Sequence, residues 1–302
     1  MGKAWTAAWK HRALYLMMLP GLAYFVTYKY GPMYGAIIAF KDYNVAQGMM
    51  GSAWADPWYK HFLYFYRSPY FSSLLWNTFL ISLYKLVWGM LPGIALAIML
   101  FEIGNRTFKR WVQTISYLPH FLSWVIVYGM VMAFLSESTG LINMWLQEWF
   151  GFKIGFLTST DYFRSILVGT DLWKDLGWSA IIYLAAISGV SPALFEAATV
   201  DGAGRLRKIW HVTLPGIRNV IVLLLILRLG HMLDAGFDQI YIMYNIHVYP
   251  VADIIDTWVF RTGLEQFNFS MASAVGLFKS IIGFALVLAA NRVAKLWGEN
   301  IW

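Results

Sequence analysis

The sequence predicts an all-α membrane protein with six transmembrane helices, and three observations carry that prediction. Of 302 residues, 59% are hydrophobic and only 13% charged, against about 25% charged in an ordinary soluble domain. That is too little charge to cover a water-facing globule. Apolar runs recur along the chain, several reaching the roughly 20 residues a helix needs to cross a bilayer. Lysine and arginine also gather on alternate connecting segments, as the topology of a multi-pass chain requires.

The predicted spans run over about 13–37, 71–101, 111–135, 165–187, 219–243 and 273–292. The first apolar run, Ala13 to Ala39, is too long for a signal peptide and lacks a small-residue cleavage site, so it is expected to be retained. The segments at 1–12, 102–110, 188–218 and 293–302 are short or basic, with Lys3, Lys10, Arg12, Arg106, Lys109, Arg110, Arg205, Arg207, Lys208, Arg218 and Lys295. Those at 38–70, 136–164 and 244–272 are longer in total yet carry only Lys41, Lys60, Arg67, Lys153, Arg164 and Arg261. The imbalance predicts both termini and the 188–218 loop in the cytoplasm. Trp54, Trp58, Tyr59, Phe62, Tyr64, Phe65, Tyr66 and Tyr70 crowd one outer segment and fit an aromatic belt at the headgroup level. Pro92 and Pro119 are expected to kink or break spans two and three. The pairs Gly31/Gly35 and Gly89/Gly93 are spaced to allow close helix contact. With no repeat and no low-complexity tract, residues 1–302 read as one transmembrane domain.

The loop before span five has its own local logic. Ser191 and Pro192 suit the cap and first position of a helix. Glu196 stands near its first turn, where the helix dipole favours a carboxylate. Gly202 and Gly204 permit a sharp turn. A second short amphipathic helix follows, with Arg205, Arg207 and Lys208 near Ile209 and Trp210, and Leu214-Pro215 is expected to stop it. The product is a compact helix–turn–helix on the membrane surface, suited to a partner's groove.

The order Glu196-Ala197-Ala198, then Asp201-Gly202-Ala203, then Leu214-Pro215 resembles the EAA loop of type I, binding-protein-dependent ABC importer permeases. Gly202 lies four residues after Ala198, and Val212 and Leu214-Pro215 are in register. The resemblance implies that permease fold and makes Glu196, Ala197, Ala198, Asp201, Gly202, Leu214 and Pro215 a coupling loop for an ATPase subunit. Asp238 to Asn245 and Ala252 to Leu264 further resemble the oligosaccharide and polysaccharide branch, within it an importer permease for alginate. The implied partners are a second, non-identical permease subunit, an ATPase dimer, a periplasmic solute-binding protein and a saccharide cargo, at the bacterial inner membrane. ATP and Mg would sit on the ATPase partner, leaving this chain without a cofactor or catalytic residue and without nucleic acid. A permease of the same scaffold for a lipid, amino acid or metal complex is the alternative.

Charges inside spans cost about 2.5–3.5 kcal/mol each near mid-bilayer on insertion scales, so they face protein or water. In span four, Asp171, Lys174, Asp175 and Trp178 fall on one helical face. In span five, Arg228, His231, Asp234 and Asp238 are spaced to fit a single polar stripe. With Tyr241 from the branch motif, these are the candidate translocation-pathway residues. Salt bridging within or between helices, for instance Asp171 with Lys174, is the competing reading. Lys29, Lys85 and Lys279 read as isolated additions. For an acidic saccharide the cationic groups would matter most. The sequence has no GxxxxGK[ST], HExxH or GxSxG motif, and no cysteine for a disulfide or thiolate metal site.

Overall fold

The computed structural model describes residues 9–296; Lys3, counted above, lies outside them. Most of the described chain is helical. The principal helices are α1 (Arg12–Phe25), α2 (Lys60–Arg67), α3 (Phe71–Glu102), α4 (Arg106–Tyr117), α5 (Trp124–Leu135), α6 (Leu141–Phe150) and α7 (Thr160–Ser188). They are followed by α8 (Pro192–Val200), α9 (Arg205–Lys208), α10 (Arg218–Gly230), α11 (Phe237–Met243), α12 (Ile255–Phe260) and α13 (Phe269–Leu296). The chain is not wholly α: β1 (Lys41–Asp42) and β2 (Ala53–Trp54) pair antiparallel, with Lys41 opposite Trp54.

Among the described residues, α3 and the Phe269–Val293 stretch of α13 are each long and apolar enough to cross a membrane, and up to 5 spans result if three bent helix pairs count as one span each. The hydropathic runs become bent or broken helices for local reasons. In the first run, regular α-helix ends at Phe25 and widens into a π-turn over Val26–Tyr30, where the Gly31 N–H reaches back to the Val26 carbonyl. Pro32 follows directly and has no N–H to continue the ladder. In the third run, Pro119 lies in a 3-10 turn, and the chain turns 104° between Arg106–Phe121 and α5. Pro92, in contrast, sits inside α3 without ending it. The fifth run stops at Gly230, passes through a 3-10 turn over Met232–Asp234, and resumes at Phe237 after Ala235 and Gly236 take left-handed backbone angles (φ 46° and 86°).

The chain divides into two compact units, Met1–Ser68 with Val259–Phe278, and Pro69–Trp258 with Lys279–Trp302. In the first, the hairpin is held from inside by the Lys41 ammonium, which donates to the carbonyls of Met49 (2.8 Å), Met50 (3.3 Å) and Ser52 (3.1 Å) and lies over the Trp54 ring. This buried charge is satisfied by backbone acceptors. Lys60 bonds Asp42 at 2.9 Å, and that hydrogen bond raises the Lys60 pKa. Ser270 Oγ donates to the Lys41 carbonyl (2.6 Å) and accepts from the Tyr43 N–H (2.9 Å), tying the start of α13 to the hairpin. Of the predicted aromatic belt, Trp54, Trp58, Tyr59, Tyr64 and Tyr66 are exposed, but Phe65 is buried against Phe278. Every described residue of α1 is exposed, including Leu14, Leu16, Met17, Leu19 and Leu22. Such an all-apolar exterior belongs in lipid or against a partner.

The second unit is built on the pairing of α3 with α7, the most extensive helix contact in the described chain. Small residues set the approach. A Cβ on Gly93 would come 3.1 Å from Ser179 Cβ, and one on Gly177 would overlap the Ser116 carbonyl of α4. Close backbone packing of this kind is what holds helices together where water supplies no driving force. Gly31 and Gly35 meet nothing comparable: Gly35 faces open space, and Gly31 has only its own Val26 carbonyl nearby. A polar lock joins the N-terminal ends of α3 and α7: Arg164 donates to Asn77 Oδ1 (2.7 Å) and the Val251 carbonyl (3.0 Å), while Asn77 donates to the Pro250 and Asp253 carbonyls (3.1 Å each).

Candidate functional site

Within the second unit, the break between α10 and α11 opens a cavity of about 370 Å³ whose polar lining includes Lys85, Asp171, Asp175, Arg228, His231 and Asp234. Its charges come from three elements. Lys85 on α3 pairs with Asp171 on α7 at 3.2 Å and donates to the buried Gln239 Oε1. Gln239 in turn donates to the Leu167 carbonyl (2.8 Å) and Thr170 Oγ1 (2.7 Å), which fixes its oxygen toward the lysine. Glycine suits position 236: its φ is positive, and a Cβ there would displace the Lys85 amine from where it sits.

Arg228 leaves the end of α10 and crosses to α7, donating to Ser179 Oγ at 2.9 Å. A Cβ on Gly89 would lie 2.6 Å from the guanidinium, so the bare backbone of α3 is the arginine's seat. Asp234 bonds His231 (3.1 Å) and Lys279 (2.7 Å), and Lys279 also bonds Asp256 (2.8 and 2.7 Å). The cavity's Asp171 and Asp234 are therefore each paired with a lysine, whereas the arginine rests on a neutral hydroxyl.

The predicted pathway residues separate accordingly. Asp171 and Asp175 on α7 share the cavity with Arg228, His231 and Asp234, but the last three lie on a broken segment and not on one helical stripe. Lys174 is buried, donates to the His120 carbonyl and lies 5.6 Å over the Trp124 ring. The pair Asp171–Lys174 does not form, since the ammonium is already held elsewhere. Trp178 stacks on His120 at 4.4 Å with planes 1° apart, and His120 Nδ1 meets Asp175 at 2.8 Å. Asp238 and Tyr241 lie outside the cavity lining; Tyr241 stacks on Phe237 at 5.3 Å. Lys85 and Lys279, read from sequence as isolated, are the centres of the two ion networks. His120, Ser179, Gly89 and Gln239 were not legible as site residues, for their roles depend on partners 49 to 154 positions away.

The loop after α7 turns 72° into α8. Ser191 occupies the cap position without a side-chain hydrogen bond. The helix closes as the Ala203 N–H reaches the Ala198 carbonyl (2.8 Å) with Gly202 at φ +73°. Phe195 packs on Phe101 (5.6 Å), anchoring α8 on α3. Glu196, Ala197, Asp201, Gly202 and Pro215 are exposed, Ala198 and Leu214 half-buried. Leu194, Val200, Leu206 and Trp210 also present their side chains outward. Leu214-Pro215 does not stop the second helix. The chain passes through a π-turn over Ile209–Thr213, with the Leu214 N–H on the Ile209 carbonyl, and helix continues to Gly216. As at Pro32, the turn widens just before a residue that cannot donate. The break comes at buried Ile217, where Gly216 abuts Val190.

A family model described as binding-protein-dependent transport system inner membrane component matches residues 85–300, covering the whole loop and every charged residue of the cavity. The chain belongs to this family. It is 46% identical to the polygalacturonan/rhamnogalacturonan transport system permease protein YteP of Bacillus subtilis over 96% of this chain and 90% of that one. To protein LplB of the same organism it is 43% identical over 99% and 94%. Among solved structures, a chain of the bacterial alginate ABC transporter in complex with alginate pentasaccharide-bound periplasmic protein superposes with a TM-score of 0.89 at 38% identity, over 98% of each chain. The fold is thus the type I permease fold.

Proposed function

We propose that this chain is a permease subunit of an ATP-driven importer for an acidic oligo- or polysaccharide. The observation that carries the reading is end-to-end likeness to saccharide-importer permeases, joined to a cavity in which Arg228 rests on a neutral hydroxyl. The finer architecture belongs to the same proposal: one transmembrane domain of six spans in the bacterial inner membrane, with both termini and the α8–α9 loop in the cytoplasm. A second permease subunit, an ATPase dimer and a periplasmic binding protein complete the assembly, and ATP is hydrolysed on the ATPase alone.

In this mechanism α8 and α9 seat in the ATPase through the exposed Glu196 and the apolar Leu194, Val200 and Leu206. ATP-driven closure of the ATPases pulls the loop, and the rigid contact of Phe195 with Phe101 passes that motion to α3. α3 carries Lys85 and the Arg228 seat at Gly89, so movement of the loop reaches the charged cavity directly. There the guanidinium exchanges the Ser179 hydroxyl for a cargo carboxylate, which is the stronger acceptor.

The test uses the purified complex with its binding protein. ATP hydrolysis should rise with binding protein loaded with an acidic saccharide, and stay at its basal level with neutral saccharides, amino acids, lipids or metal complexes. Stimulation by one of the latter and not by acidic saccharide would overturn the cargo assignment.

A further inference from the structure

Helix α4 carries a feature that the transport reading does not use. At 100° per residue its side chains fall into opposed sets: Arg106, Lys109, Arg110 and Gln113 on one side, Phe108, Trp111, Val112 and Ile115 on the other. The helix packs through an edge between them, where the Ser116 carbonyl lies against Gly177. Lys109, Val112, Gln113, Ser116 and Tyr117 are accordingly half-buried, while Arg106, Thr107, Phe108, Arg110, Trp111, Thr114 and Ile115 are exposed. The exposed arc is thus itself divided, cationic along one margin and aromatic or aliphatic along the other, with threonines at the boundary.

Neither water nor hydrocarbon alone suits such an arc. Water would meet Phe108, Trp111 and Ile115, each more than half exposed, and acyl chains would meet two guanidinium groups. The headgroup boundary suits both margins at once. At that boundary Arg106, Thr107, Arg110, Trp111 and Thr114 line a groove of about 430 Å³. It offers guanidinium forks and the Thr107 hydroxyl to phosphate oxygens, with an indole at the glycerol level, while the Thr114 hydroxyl is already donated to the Arg110 carbonyl (2.9 Å). The first turn of α4 has no acidic residue to neutralise them. The helix end is not itself the anion site, for the Asn105 side chain already accepts from the Thr107 and Phe108 N–H groups (3.0 and 3.1 Å).

We infer that this groove binds the headgroup of an anionic phospholipid. The inference rests on the membrane reading of the chain and is independent of its cargo. Because the sequence has no cysteine, Ile115→Cys, beside the groove but outside its lining, can carry a bimane label in the assembled transporter with its other subunits cysteine-free. In vesicles of phosphatidylcholine and phosphatidylglycerol, spin-labelled phosphatidylglycerol should quench the label more than spin-labelled phosphatidylcholine at equal mole fraction. Arg106→Gln and Arg110→Gln should each lower that preference roughly five-fold, the factor expected of one basic side chain at an anionic surface. Quenching by phosphatidylcholine should persist in both variants, showing that the helix still folds against the bilayer. Equal quenching by the two lipids in the unmutated groove would overturn the headgroup site. No quenching by either would overturn it differently, placing a protein subunit over the face, and would leave the transport assignment untouched.

Discussion

At the scale of the residue, the cavity pairs some charges and leaves one on a weaker acceptor. Lys85 and Lys279 are held by carboxylates, so a cargo carboxylate would have to displace an ion pair to reach them. Arg228 has only to release a serine hydroxyl. A hydrogen bond to a charged group contributes about 1.5–3 kcal/mol. Arg228→Ala is therefore expected to cut uptake of an acidic saccharide by about ten-fold or more in the assembled transporter, with Arg228→Lys retaining part of it. Gly89→Val should reproduce the loss without touching the charge, because its side chain occupies the guanidinium seat. Uptake unchanged in both Arg228→Ala and Gly89→Val would remove Arg228 from the pathway.

At the scale of the element, α8 is fixed on its inner side and bare on its outer side. Phe195 anchors it, while Glu196 points away from the chain that carries it. Glu196→Lys should leave the subunit folded and inserted but abolish cargo-stimulated ATP hydrolysis, which a vesicle ATPase assay would read directly. Wild-type stimulation would contradict the coupling role. The loop was legible from sequence because its determinants are local: a cap position, two glycines and a proline within one short stretch. The turn at Pro119 was legible for the same reason. What composition could not reveal was the outcome of competition between distant groups. Hydropathy reads 219–243 as one run, yet the helix stops at Gly230 and a 3-10 turn with the left-handed Ala235 and Gly236 separates it from the next. The predicted partner of Asp171 was its helical neighbour Lys174, but Lys85 on another helix takes the carboxylate. Two prolines expected to stop or break helices instead leave them running, Pro92 within α3 and Pro215 after a widened turn.

At the scale of the whole molecule, the ion networks join segments far apart in the chain, and Lys279 is their clearest case. It comes from α13 and binds Asp234 in the α10–α11 break and Asp256 in α12, all within the larger unit. The lysine and Asp256 are mostly buried, with side-chain exposures of 17% and 22%. Removing one member of such a group leaves an uncompensated charge, a loss of about 3–5 kcal/mol in buried pairs. Lys279→Met is thus expected to destabilise the subunit more than Asp234→Asn, since Asp234 is more exposed and its loss leaves Lys279 paired with Asp256. Restoring neutrality should restore much of the loss: Lys279→Met combined with Asp256→Asn should melt closer to wild type than Lys279→Met alone. Thermal unfolding of the detergent-solubilised complex, followed by the temperature at which each variant aggregates, checks the order. If the double variant were no more stable than the single one, the network would hold the fold through geometry and not through charge balance. The break between α10 and α11 would then need another support.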